Sequence, residues 1–79
     1  MNELTLCIVN EGADYQERLE RARQTRRMSN YARYARWTDR VRQEARKLNK
    51  EFGRPIDESE ISEACRELDA YYQQHLAEM

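Results

Sequence analysis

The side chains most often used for catalysis and metal binding are few in this sequence. Its 79 residues contain one histidine, His75, and two cysteines, Cys7 and Cys65. Cys65 and His75 are ten residues apart, nearly three turns of a helix, so they cannot bind the same metal ion. The two glycines are too few for a glycine-rich phosphate loop. We therefore predict a protein without enzymatic activity, metal ion or cofactor, and with reduced thiols.

The arginines have the greatest potential for recognition. Residues 21–27 read RARQTRR, and residues 29–40, SNYARYARWTDR, alternate arginines with aromatic rings. Such side chains can track a phosphate backbone, with salt-dependent affinity, or form bidentate pairs with carboxylates of another protein. A solvated helix face is the third interpretation. The predicted partner-binding residues are Arg23, Arg26, Arg27, Arg33, Arg36 and Arg40.

The formal net charge of −1 conceals an uneven distribution. Residues 18–50 contain twelve basic and three acidic side chains, a net charge of +9. Residues 1–17 carry −4, and residues 51–79, with eight acidic and two basic side chains, carry −6. Such a division is typical of a nucleic-acid contact or of helices that neutralise one another. The pI of about 5.8 weighs against a dedicated nucleic-acid-binding protein, whose domain is usually basic.

The elements that position these arginines follow from the spacing of apolar residues. LTLCIV and the NEG that follows it predict a short strand or arm and a turn over residues 1–12. From Asp14, a predicted N-cap, the basic segment 13–52 has helical spacing. Ser29 and Asn30 favour caps over helix interiors. A break near these two residues and one long bent helix both remain open.

A single helix through the aromatic stretch would have one buried face and one arginine ridge. At about 100° per residue, Tyr34 and Phe52 lie near the centre of an apolar arc, with Trp37 and Tyr31 towards its edges. The arginines of the stretch project beside this arc. Most of the rings are therefore predicted to belong to the core, which leaves the arginines for recognition.

The best-defined boundary is the sequence FGRPID. Gly53 suits the left-handed conformation just past a helix end, and the proline two residues later prevents continuation of the helix. Residues 53–56 are a predicted turn. Asp57 is the predicted N-cap of an acidic C-terminal helix over residues 57–79, with Glu60 at its third position. A short connection between two amphipathic helices favours an antiparallel hairpin.

Parts of the C-terminal half resemble two known families. Residues 40–64, with KLNKEFGRPIDESEISEA, resemble the first helices of region 3 in bacterial sigma factors. ELD at 67–69 resembles the small sporulation phosphatases of the Spo-zero-E type, although Cys65 and Arg66 replace the Ser-Gln pair expected before it. We transfer no site residue from either family. The phosphatase resemblance makes a small hydrolase the third and weakest functional hypothesis.

The predicted fold is one small, mainly α-helical domain over residues 1–79, with two or three helices that end in the hairpin and a short N-terminal β-strand or arm. Only 12 of 79 residues are Leu, Ile, Val or Phe, so the core is thin. A thin core and an unpaired strand together predict a homodimer. No apolar run could span a bilayer and no signal peptide is recognisable, so we expect no membrane contact and a cytoplasmic location.

The leading functional hypothesis is a small, non-enzymatic binding protein that occludes or recruits a larger protein or complex with an acidic surface. Its size and charge density are similar to those of small accessory proteins or inhibitors from phages and mobile elements. The alternative is a nucleic-acid-binding regulator that contacts phosphates through the arginine-rich helix.

Overall fold

A computed structural model describes residues 1–79 and contains five helices and no strand. The mainly α-helical class is confirmed, but the predicted number of two or three helices is wrong. The helices are α1 (Glu3–Asn10), α2 (Tyr15–Thr25), α3 (Asn30–Arg36), α4 (Thr38–Phe52) and α5 (Glu58–Ala77).

The predicted N-terminal β-strand over residues 1–12 is wrong, because most of this segment forms the helix α1. α1 packs against α4 and α5, as the alternative of an N-terminal arm packed on helices implies. Leu4 and Ile8, one helical turn apart, are both fully buried. The Asn2 side chain caps the helix by accepting a hydrogen bond from the Thr5 N–H (3.0 Å). Glu67 of α5 accepts two more, from the Asn2 N–H (2.8 Å) and the Thr5 hydroxyl (2.7 Å). A short apolar run fits a strand or a buried helix, and these contacts with α5 favour the helix.

The basic segment 13–52, predicted as one or two helices, contains three. One boundary is close to the predicted break, since Ser29 caps α3 by accepting a hydrogen bond from the Ala32 N–H (3.3 Å). The second boundary, at Trp37, has no glycine, proline or strong capping residue to mark it. A single helical register therefore does not extend across residues 31–52.

The boundary at Trp37 changes which aromatic rings are buried. Trp37, predicted near the edge of the buried face, is fully buried. Tyr34, predicted at its centre, is only half-buried. The prediction that Tyr31 and Phe52 belong to this face is wrong, because they are 84% and 72% exposed.

The connection between α4 and α5 has the predicted caps. Gly53 has a φ of 63°, and its N–H donates to the Asn49 carbonyl (2.8 Å), which ends α4. The Asp57 side chain accepts a hydrogen bond from the Glu60 N–H (2.9 Å), which begins α5. Thr38 contacts Cys65, and Arg42, one turn later in α4, contacts Glu58, which lies earlier in α5. The two helices therefore run antiparallel.

α5 is the central helix, since each of the other four contacts it. The two largest fully buried side chains, Trp37 and Tyr72, stack with ring centroids 5.3 Å apart. None of the helices combines the length and apolar character that a membrane crossing requires. The core consists of Leu4, Ile8, Leu19, Ala22, Trp37, Val41, Ala45, Leu48, Ile61, Ala64, Cys65, Leu68 and Tyr72.

Candidate functional site

The six predicted binding arginines fall into three groups in the folded chain. One group is turned inward and forms ion pairs with acidic residues of other helices or connections. A second is exposed where α2 meets α3, and a third is a single exposed residue at the end of α3. These groups are Arg33 with Arg40; Arg23 with Arg26 and Arg27; and Arg36 alone.

Arg33 holds the α2–α3 connection against α5. Its Nε donates to Oδ2 of Asp69 at 2.9 Å, and Asp69 is only 2% exposed. The guanidinium also donates to Arg26 O (3.4 Å), Met28 O (3.5 Å) and the Asn30 side chain (2.5 Å). Arg33 therefore supports the shape of the candidate site, and its role in partner binding stays a prediction.

Arg40 holds the α1–α2 connection against α4. Its Nη1 pairs with Oε2 of Glu44 at 3.1 Å, and its Nη2 pairs with Glu11. Glu44 is almost fully buried, so this cluster places charged groups against the core. With both partners inside the chain, Arg40 offers few donors to a second molecule; its predicted contact with a partner also remains a prediction.

Arg23, Arg26 and Arg27, which we call the arginine corner, lie at the end of α2 and in the connection to α3. All three are exposed. Arg23 forms an exposed pair with Glu20 at 2.6 Å, of a kind that contributes about 0–1 kcal/mol. Arg26 and Arg27 form no ion pair with any acidic side chain of the chain. The guanidinium groups of these two consecutive residues are therefore exposed to solvent and form no ion pair.

Arg36 is exposed but has acidic surroundings. It lines a groove between α2 and the end of α3 together with Glu17, Glu20 and Asp39. It forms an ion pair with none of them. Arg21 lies in the same groove, but the three carboxylates outnumber the two arginines and reduce the positive potential around Arg36. Arg36 is therefore a weaker site for an anion than Arg26 and Arg27.

A second surface feature is a small groove between α3, α4 and α5, which we call the tyrosine groove. Its volume is about 230 Å³, and half of its ten lining residues are apolar or aromatic. One of them is the most exposed large hydrophobic residue of the chain. These five residues are Tyr31, Tyr34, Ala35, Ile61 and Cys65.

The charged residues of the tyrosine groove differ in their pairing. Arg42 and Glu58 form a bidentate pair, in which both N–O distances are 2.9 Å. These hydrogen bonds lower the pKa of the Glu58 carboxyl. Arg66 is exposed and forms no ion pair. The wall of the groove therefore contains one free cation.

Sequence reasoning missed Arg18, which is only 2% exposed. Its Nε donates to the Tyr72 hydroxyl at 2.6 Å and its Nη2 to the Glu11 carbonyl, while Nη1 has no partner. Burial raises the pKa of Tyr72, and the hydrogen bond from Arg18 offsets part of this effect. Arg18 lies one turn before Ala22 beside the apolar stripe of α2, a position that could have indicated burial.

The environments of Cys7, Cys65 and His75, the candidate catalytic side chains, are those of packed structural residues. Burial raises the pKa of the Cys65 thiol, and burial with the carboxylates of Glu44 and Glu3 raises that of Cys7. Both are therefore protonated at neutral pH, the less nucleophilic form. His75 Nδ1 lies 3.1 Å from the Tyr15 hydroxyl, and its ring packs on Tyr71. Groups of His, Cys, Asp and Glu that could hold a metal ion are absent.

The chain was compared with family models, with curated proteins and with solved structures. No family model, no curated protein and no solved structure matches this chain.

Proposed function

We propose that this protein is a non-enzymatic binding protein whose arginine corner docks on an acidic surface of a larger protein or complex, which it occludes or recruits. The observation that carries this proposal is the unpaired state of Arg26 and Arg27. Twelve charged side chains of the chain take part in ion pairs with one another, whereas these two consecutive arginines are exposed and belong to none of the pairs. Guanidinium groups bind carboxylates in bidentate geometry, which provides specificity as well as attraction.

The arginine corner has a fixed backbone, which supports a role in binding. Arg33 donates to the carbonyls of Arg26 and Met28 and pairs with buried Asp69, so the connection between α2 and α3 is tied to α5. A surface that is ordered before binding loses less conformational entropy on association. The corner is therefore a stronger candidate than a flexible basic loop.

A nucleic-acid-binding regulator is the second candidate. Tyr31, in the first turn of α3 just after the corner, is 84% exposed, and an exposed ring can stack on a base while arginines contact phosphates. The chain's net charge of −1 and the acidic groups around Arg36 favour the protein partner. A cytoplasmic accessory or inhibitor of phage or mobile-element origin is compatible with either candidate.

Homodimerisation is a separate part of the proposal. The lone-strand argument for it no longer applies, since residues 3–10 form a helix. The remaining support is the thin core and the exposure of Leu6 on α1 and Phe52 at the end of α4. Light scattering at micromolar concentration should give the mass of two chains, and a monomeric mass would refute the dimer.

A nuclease-treated pull-down with three baits tests the leading proposal. We expect the wild-type protein to retain a stoichiometric partner from the extract of its source cells. The variant Arg26→Glu/Arg27→Glu should retain at least about tenfold less, since it reverses both unpaired cations. Arg46→Glu/Lys50→Glu is the matched control, because both residues are exposed on α4, lack ion pairs and change the net charge equally. Equal loss in both variants, or recovery of chaperones alone, would contradict the proposal.

Binding to duplex and single-stranded DNA as a function of salt tests the second candidate. Phosphate contacts predict an affinity that falls linearly with the logarithm of the salt concentration, with a slope of about −0.7 to −0.9 per phosphate contact. The slope should decrease by about two contacts in Arg26→Glu/Arg27→Glu. If neither DNA binds at low salt, the nucleic-acid candidate fails.

A further inference from the structure

We propose that the tyrosine groove binds a short acidic segment of the partner protein, with one apolar side chain of that segment on the groove floor and a neighbouring carboxylate on Arg66. This inference rests on the proposed function and names the kind of partner segment involved. Four features of the groove support it: its size, its lining, its charge and its position.

The size and lining fit a side chain from another protein. At about 230 Å³ the groove is smaller than the roughly 300–1,000 Å³ typical of small-molecule pockets. Its floor includes Ile61 and Cys65 of α5, and burial keeps the Cys65 thiol protonated and neutral. Tyr31 stands at its edge, 84% exposed. Exposed aromatic rings next to apolar floors are frequent anchor points in protein interfaces.

The charge of the groove selects an acidic occupant. Arg42 is saturated by its bidentate pair with Glu58, whereas Arg66 has its donors free. A carboxylate next to the apolar anchor can therefore pair with Arg66 without breaking an existing pair. The arginine corner directly precedes α3, which carries Tyr31. In the proposed complex, the segment extends past Tyr31 towards Arg26 and Arg27.

A peptide fits this groove better than a nucleic acid does. A phosphate backbone carries repeated negative charges and requires several cations in a row, but the groove offers one free cation. Its wall also contains the carboxylate of Glu58, which would lie close to the phosphates. In a peptide complex, the same carboxylate is free to accept a backbone N–H through its remaining lone pairs.

A library of random dodecapeptides displayed on phage, selected on the immobilised wild-type protein, tests the inference. We expect enriched peptides in which Asp or Glu is adjacent to a large apolar residue. A fluorescein-labelled peptide of the enriched sequence should bind at least about tenfold more weakly to Tyr31→Ser and to Arg66→Glu, as measured by anisotropy. Lys50→Glu, a charge reversal at an exposed residue outside the groove, should bind it as the wild type does. Both groove substitutions are at exposed positions, and circular dichroism should give unchanged folding.

Three results would overturn the inference. The first is no enrichment, or enrichment of peptides without acidic residues. The second is a selected peptide whose binding depends on Arg26 and Arg27 but not on Tyr31 and Arg66. The third is a single-stranded oligonucleotide that binds to the wild type and is lost in the same two groove variants.

The pull-down separates this inference from the proposed function. If selected peptides bind the groove but the arginine-corner variant retains its partner, the docking role of the corner fails and the groove site stands. If the corner variant loses its partner but no peptide binds the groove, only the groove inference fails.

Discussion

Arginines of one basic segment have opposite environments in this fold. Arg26 and Arg27 stand in solvent without acidic partners, whereas Arg18, Arg33 and Arg40 are turned into the protein. The inward group binds a tyrosine hydroxyl, main-chain carbonyls and carboxylates from other elements. Part of the positive charge of residues 18–50 is therefore held inside the fold, and a count of arginines overestimates what is free for a partner. Substitutions in the two groups should differ in kind: the inward group should affect folding and the corner should affect binding.

The largest effect on folding is expected at Arg33. Arg33→Met leaves the Asp69 carboxylate, which is 2% exposed, without its cation, and we expect a loss of about 3–5 kcal/mol in the free energy of unfolding. Urea denaturation followed by circular dichroism measures this loss. The double variant Arg33→Met/Asp69→Leu should recover most of it, because replacing both charges removes the unpaired ion. If the single variant loses less than about 1 kcal/mol, the Arg33–Asp69 pair contributes no more than a surface ion pair, and the prediction is wrong.

A smaller effect on stability is expected at Arg18, which is buried but forms no ion pair with a carboxylate. Arg18→Met removes the donor to the Tyr72 hydroxyl and should cost about 1–3 kcal/mol in the free energy of unfolding. Adding Tyr72→Phe removes the orphaned hydroxyl, so the double variant should be closer to wild type than the sum of the single variants. Strict additivity in a denaturation cycle would mean that the two side chains are not coupled.

The pH dependence of stability tests the role of Glu67, a carboxylate that forms hydrogen bonds within the fold. Burial by itself would raise the pKa of Glu67, but hydrogen bonds from Asn2 and Thr5, with the N-terminal ammonium, lower it below its usual value. A carboxyl whose pKa is lower in the folded state stabilises the protein above its unfolded-state pKa, and this contribution is lost as the pH falls through the folded-state value. Between about pH 5 and pH 3, Glu67→Gln should therefore lose less stability than the wild type. Parallel pH profiles for the two proteins would contradict this.

The smallest effect on folding is expected at the arginine corner. Arg26→Glu/Arg27→Glu should change the free energy of unfolding by about 0.5 kcal/mol or less, the usual range for exposed positions without special contacts. The same variant is expected to lose its partner in the pull-down, which is the reverse of the pattern for the inward group. A thermal or urea midpoint well below that of the wild type would place the corner among the structural arginines.

Local signals were sufficient where one residue determines the backbone. Gly53 adopts the left-handed conformation and Asp57 caps α5, as the sequence predicts, because both effects depend on neighbours a few residues away. The mainly α-helical class follows from the three-and-four spacing of apolar residues.

Long-range contacts determine what could not be predicted. The start of the N-terminal helix is held by Glu67, sixty-five residues away from Asn2, which accepts hydrogen bonds from the Asn2 N–H and the Thr5 hydroxyl. Trp37 interrupts the basic segment without any local breaker, and its ring is buried against Tyr72. Asp69, which pairs with Arg33, and Glu11, one of the two partners of Arg40, are also distant in sequence. Helical periodicity therefore predicted one common arginine ridge, whereas in the fold these arginines have separate environments.

The central position of α5 has a consequence for how this domain opens. Each of α1 to α4 packs on α5, so displacement of α5 removes contacts from all four helices at once. Amide hydrogen exchange in the middle of α5 should therefore require unfolding of the entire domain, whereas the ends of α2 and α3 should exchange by local fraying. Because α5 follows α1 to α4 in the chain, those four helices have no common partner until α5 has been synthesised. Formation of the core then depends on α5.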